Sequence, residues 1–170
     1  MAYFDKLNNS IMIAIELLLS DQDLCKLLYY SEANPLSQPT IPDTNILLMK
    51  NIFPLPKSPN SEKDQKAIVN VYFYESEPYQ KNSGFRKVYL VLDVMCHLDV
   101  WMIDNGLRPY SISSKIDALF NNKLVPELSI NSMYFEHWGQ KRYSDYFYGY
   151  HLTYRLSNDS NVGCNSSGQV

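Results

Sequence analysis

The stretch "LDVMCHLDVW" places Asp93, Cys96, His97 and Asp99 close together. Acid, thiol and imidazole side chains at such spacing suggest two chemistries, a metal-assisted hydrolysis and a thiol nucleophile with an imidazole base. A metal needs its ligands within about 4–5 Å of one another, because zinc–ligand bonds are about 2 Å long. On an extended chain rising about 3.4 Å per residue, Asp93 and His97 stand about 13 Å apart and cannot share an ion. His97 and Asp99, about 7 Å apart at the backbone, could share one if His137 or His151 joined them from neighbouring strands. A polar sheet face with a His–Asp hydrogen bond accounts for the same residues without a metal. Cys96 and His97 are adjacent, so on a strand they point to opposite faces and form no nucleophile–base pair. Cys96 is then a buried structural cysteine.

Other catalytic signatures are missing. The glycines form neither a phosphate-binding loop nor GxGxxG, and neither GxSxG nor HExxH occurs. Glu16, Glu75, Glu127 and Glu136 are scattered and make no carboxylate pair. The expectation is a chain without catalytic residues, metal ligands or a cofactor: not an enzyme.

The element carrying the polar cluster is the clearest in the sequence. From Arg86 to Trp101, Val88, Leu90, Leu92, Val94, Cys96 and Leu98 alternate with Tyr89, Val91, Asp93, Met95, His97 and Asp99. Period-2 alternation of this length predicts a long strand with one end overhanging its sheet partners. Upstream, Phe4, Leu7, Ile11, Ile15 and Leu18, with Leu19 beside them, have helical spacing. Ser20 with Asp23 resembles the cap of a second, short helix through Leu24, Leu27 and Leu28. Pro35, Pro39 and Pro42 predict an extended connector. Ile46–Ile52 is a short apolar segment of helical aspect, closed by "FPLPKSPN". Residues 67–75 predict a strand, 76–85 a hairpin connection and "DNG" at 104–106 a turn. Residues 111–122 predict a helix with Ser111 or Ser113 near its cap, launched by a turn at Leu107-Arg108-Pro109. Residues 131–138 and 146–156 predict two further strands. On the last, Tyr148, Tyr150, Leu152, Tyr154 and Leu156 share one face, opposite His151, Thr153 and Arg155. The expected fold is α+β, an antiparallel sheet of about four strands with N-terminal helices and one inserted helix packed on it. Residues 1–156 form one domain and 157–170 a polar C-terminal tail.

The totals fit this reading. The chain has 170 residues, 45% hydrophobic, enough for one domain with a core. Its net charge of -3 and scattered Lys and Arg argue against binding duplex DNA by phosphate neutralisation. Three widely spaced cysteines, with no CxxC, predict reduced thiols. The apolar N-terminal run is interrupted by Glu16 and too short to span a bilayer, and it lacks a signal-peptide pattern, so no membrane association is expected. The 14 tyrosines fit either interfaces or plain strand propensity.

One resemblance adds to these features. "IPDTNILLMKNIFPLPKSPN", then "NSGFRKVYLVLDVMCHLDVWMIDNGLRPYSISSKIDALFNN", then "YSDYFYGYHLTYRL" resembles small virion proteins at the head–tail junction of tailed bacteriophages, nearest the tail terminator (tail completion) family. It covers residues 41–156, most specifically Val94–Trp101, Gly106–Pro109 and Ile112–Asn122. The resemblance implies an α+β subunit of a homo-oligomeric ring, often hexameric, that caps the tail tube and meets the head connector. It implies no catalytic residues, no cofactor, and DNA passing through the ring without specific binding. Another connector or stopper ring fits the same pattern, and a metal-assisted hydrolase is the reading from a different class. A ring subunit would reside in the virion after assembly in the host cytoplasm. The long strand would then be an assembly strand. Tyr79, Phe85, Tyr89, Trp101 and Arg108 are the expected interface residues, with Arg108 anchoring a carboxylate within the chain or across a boundary.

Overall fold

The computed structural model describes residues 3–59, 65–79, 82–126, 128, 129 and 131–159; within these, the side chains of residue 3 and of residues 75–79, 82–87 and 157–159 are left undescribed. Two helices open the chain, α1 (Tyr3–Ser20) and α2 (Gln22–Tyr29). A short strand β1 (Ile52–Phe53) precedes the long hairpin β2 (Ala67–Tyr79) and β3 (Asn82–His97). A small hairpin of β4 (Met102–Ile103) and β5 (Gly106–Leu107) leads into helix α3 (Arg108–Phe120). Strands β6 (Tyr134–Arg142) and β7 (Phe147–Asp159) complete the sheet, whose order is β1-β2-β3-β7-β6.

The architecture is α+β, as the alternation and helical spacing predict. The four long strands are antiparallel and all three helices cover one face. Leu90, Leu92, Val94 and Cys96 of β3 meet Leu152, Tyr154 and Leu156 of β7 and the apolar stripes of the helices, all buried. The Tyr148–Leu156 face is correctly assigned: Tyr150, Leu152, Tyr154 and Leu156 are buried while His151, Thr153 and Arg155 are only partly covered. On α3, Ile112, Ile116 and Phe120 are buried as the spacing requires. Phe4 departs from the predicted α1 stripe and is 79% exposed, because the helix begins almost a turn before its packed region.

Several boundaries differ from expectation. The cap of α2 is Asp21, whose Oδ1 accepts from Leu24 N at 2.9 Å; Ser20 instead closes α1 by donating to Leu17 O. The Ile46–Ile52 segment is a 3-10 turn, Thr44–Leu47, followed by β1. That strand pairs parallel to β2, which makes the sheet mixed and five-stranded. Helix α3 starts at Arg108, with Pro109 inside its first turn. A proline there forfeits no helix hydrogen bond, because first-turn amides have no intrahelical acceptor. The polar residues 76–85 lengthen the hairpin instead of ending it, as β2 reaches Tyr79 and β3 begins at Asn82. Strand β7 likewise runs to Asp159, three residues beyond 156. The remainder of the predicted tail, 160–170, lies outside the described residues.

The predicted overhang of β3 is corrected. From Arg86 to Cys96 this strand has a partner on each side, β2 and β7, so its backbone groups there are spoken for. The outer strands are β1 and β6, and β6 pairs only with β7. At the β3–β7 crossing the backbones come so close that a Cβ on Gly149 would lie 1.9 Å from Val94 O.

Candidate functional site

Three polar constructions stand out, on the two faces of the sheet and at the end of α2. The first answers where the acid and imidazole groups of the opening stretch go. Asp93 and His97 lie on the face away from the helices, yet both are buried, because a second small core covers that face. Phe53, Ile68, Met95 and Phe147 make up this core, with Tyr143 packed against it. Asp93 lies opposite Asn70 of β2 and His151 of β7. Tyr72 donates to its Oδ2 at 3.0 Å and Tyr143 to its Oδ1 at 2.9 Å. His151 Nδ1 sits 2.8 Å from Oδ1, and Lys141 Nζ stands 3.9 Å away. Burial first, and then the Asp93 carboxylate, pushes the Tyr72 and Tyr143 phenols well above tyrosine's ordinary value.

His151 Nε2 lies 3.3 Å from Thr153 Oγ1, so acid, imidazole and hydroxyl occur in the order of a nucleophilic triad. Such a triad also needs an oxyanion site and a substrate pocket. The cleft described below opens on the opposite face, since Leu152 and Tyr154 line it and alternate with Thr153 along β7. The groups form a hydrogen-bonded network around a buried carboxylate.

The metal reading fares poorly on register. His97 pairs with Phe147 and Asp93 with His151, four residues along the same strands and about 13 Å apart. His97 Nδ1 accepts from Asp99 N at 3.1 Å, and Gln65 Nε2 donates to Asp99 Oδ2 at 2.7 Å. His137 is exposed on β6 opposite Thr153. Among the described residues no group of three or more His, Cys, Asp or Glu could hold a metal ion.

The second construction is Arg108. Its side chain is buried at 1% exposure, and its hydrogen bonds among the described residues go to backbone carbonyls. The guanidinium donates to five backbone carbonyls: Val100 from Nε, Leu27 and Tyr30 from Nη1, Ser31 and Glu32 from Nη2. Asn51 Nδ2 donates to Leu28 O and Ala67 O, each at 2.8 Å. Together these two side chains satisfy carbonyls that the end of α2 leaves open, and the positive charge sits at the negative pole of the helix. Burial pulls the Arg108 guanidinium below its usual value. Arg108 is thus a corner staple of the fold, not the expected interface anchor. The sequence carried the residue but not this partner set, because carbonyl acceptors leave no signature in side-chain types.

The third is a cleft of about 360 Å³ between α3 and strands β6–β7. The Tyr110 and Tyr150 rings approach to 4.7 Å, and Trp138 of β6 meets Tyr150 edge-on at 5.5 Å. Asp117 is the only charged residue of the lining. Tyr154 donates to its Oδ1 at 3.0 Å and Asn121 to its Oδ2 at 3.3 Å. The Tyr150 phenol is pushed up to about 12, by burial and then by its hydrogen bond with Tyr110. Phe135 and Trp138, 38% and 51% exposed, continue the aromatic surface along β6.

The other predicted interface residues disperse. Trp101 packs partly buried against the main core, and its carbonyl accepts from Arg108 N at 2.9 Å. Tyr89 is half-buried on the outer face between Tyr74 and Arg155. The side chains of Tyr79 and Phe85 lie outside the described residues. The aromatic cleft was missed because its walls come from α3, β6 and β7, and only the sheet register joins them.

Residues 21–156 match the family described as YomW, and the chain belongs to that family. The family's name is that of a Bacillus phage SPbeta-like gene family, which makes this a phage-associated protein. No curated protein matches the chain.

Proposed function

We propose that the protein is a structural virion component of the phage neck, a tail terminator ring subunit that caps the tail tube and joins it to the head connector. Its phage-associated family and its resemblance to head–tail junction proteins support that setting. The observation that carries an assembly role is β6. Its backbone pairs on one side only, and Tyr134, Phe135 and Trp138 are exposed along it. A strand edge of nine residues with aromatic side chains is costly to leave open and is consumed when a closed ring forms. The mildly acidic chain, at net charge -3, suits a passage for DNA without specific binding. The polar networks then hold shape and catalyse nothing.

Sedimentation of the purified protein together with an electron cryo-microscopy map of the parent virion tests this. The expected result is ring-sized particles in solution and density for the fold at the top of the tail tube. Density one ring nearer the head would make it a stopper or another connector. A strict monomer absent from the virion would sink the reading.

A further inference from the structure

We infer that the cleft between α3 and β6–β7 is a recognition site for an arginine side chain presented by a partner protein. Most of the lining is apolar, from Tyr110, Trp138, Tyr150 and Leu152, and the single charge is Asp117. An apolar passage with one carboxylate fits a side chain whose stem is hydrocarbon and whose head is a cation. Aromatic faces attract such a head as well, and a planar guanidinium both stacks on rings and pairs with a carboxylate.

Asp117 has acceptor capacity left for this task. Its two hydrogen-bond donors, Tyr154 and Asn121, are neutral, and no Lys or Arg pairs with it among the described residues. The nearby Lys115 on the same helix is engaged elsewhere, with Nζ 2.7 Å from Asp23 Oδ2. Each carboxylate oxygen can accept more than one hydrogen bond, so these donors leave room for a guanidinium. They also hold the carboxylate in one orientation, which lowers the cost of ordering it on binding. A nucleic acid is the weaker fit, because its phosphates would meet a lining whose only charge is negative. The inference does not depend on where in a virion the chain sits.

The test is titration of the ¹⁵N-labelled full chain with acetyl-Gly-Arg-Gly-amide and with its lysine, citrulline and norleucine counterparts. The two tryptophan indole signals, assigned with Trp138→Phe, report the site. The arginine peptide should shift the Trp138 signal and leave Trp101 unmoved. The uncharged citrulline peptide should bind at least about tenfold more weakly, and Asp117→Asn should cost the arginine peptide about tenfold while leaving citrulline unchanged. Should Asp117→Asn fail to fold, Tyr110→Leu and Trp138→Ala must each weaken the arginine peptide. Equal binding of arginine and citrulline, equal or tighter binding of lysine, binding of a thymidine oligonucleotide, or no shift with any peptide would overturn the inference. Dispersal of a self-assembled oligomer by the arginine peptide would name a second copy as the occupant and overturn a separate partner. Ring formation without peptide binding would leave the neck assignment standing and remove this one alone.

Discussion

Among the described residues, Asp93 and Arg108 are the two charged side chains that the fold buries, and each is held differently. Asp93 receives Tyr72, Tyr143 and His151, three groups from three separate segments. Replacing it with Ala strands all three in a covered site. We expect Asp93→Ala to lower stability by about 3–5 kcal/mol, the range seen when a buried network loses its acceptor. Asp93→Asn keeps an acceptor oxygen for the phenols and should cost roughly half as much. Urea unfolding of both variants checks the order, and an Asn variant as damaged as the Ala variant would refute the acceptor role. Arg108 is expected to be less replaceable still. Its fork reaches five carbonyls from three nitrogens. A lysine brings one nitrogen with three donors and cannot span them. Arg108→Lys should therefore destabilise nearly as much as Arg108→Ala, by about 3 kcal/mol or more, with the loss visible as early hydrogen exchange at the end of α2. A lysine variant of native stability would show that charge alone, and not the fork, is what the corner needs.

At the scale of elements, the sheet is where local pattern and tertiary demand agree. Along β7 the alternation named the buried face correctly, and along β3 it separated the set that meets the helices from the set under the second core, because a one-residue slip would exchange the two. The Ile112–Phe120 stripe did the same for α3. What the pattern could not carry was register. The meeting of Asp93 with His151, and of Tyr110 with Trp138 and Tyr150, depends on which strand lies beside which. The order β3-β7-β6 places a strand late in the chain between two earlier ones, and periodicity is blind to that. Strand β1 was missed for a related reason, since two residues are too few to show a period. Gly149 is the legible trace of the β3–β7 crossing. Glycine inside an otherwise apolar and aromatic strand marks a close backbone approach. Here the backbone at Val94 leaves no space for a methyl group. Gly149→Ala should open the β3–β7 ladder locally. Faster amide exchange across Val94–Cys96 than across Val69–Val71, with a fall in unfolding midpoint, is the expected reading. An alanine variant with unchanged midpoint would show that the strands part without cost.

For the whole molecule, the buried thiols and phenols set the behaviour at high pH. Burial pushes Cys25 and Cys96 from the ordinary 9.0 up to about 12. Tyr72, Tyr143 and Tyr154 are raised above the ordinary 10.0 by burial first and then by the carboxylates of Asp93 or Asp117. When the chain unfolds, these groups return to their ordinary values. Between those values and the folded ones, the unfolded state has lost protons that the folded state keeps. Stability therefore falls as pH rises. The contribution is whole below pH 9, erodes first through the thiols, and erodes faster above pH 10 as the phenols join. Each such proton steepens the fall by about 1.4 kcal/mol per pH unit. Urea midpoints should thus be flat from neutral pH to the upper eights and then drop. In a Cys25→Ala, Cys96→Ala double variant the onset should move up by about one pH unit, the gap between the ordinary thiol value of 9.0 and the ordinary phenol value of 10.0. The same burial predicts that a thiol reagent at pH 8 modifies Cys25 and Cys96 only as fast as the chain opens, read site by site from peptide masses. Midpoints that stay level through pH 11, or prompt labelling of Cys96 in the native protein, would mean that the core admits water where the fold says it is closed.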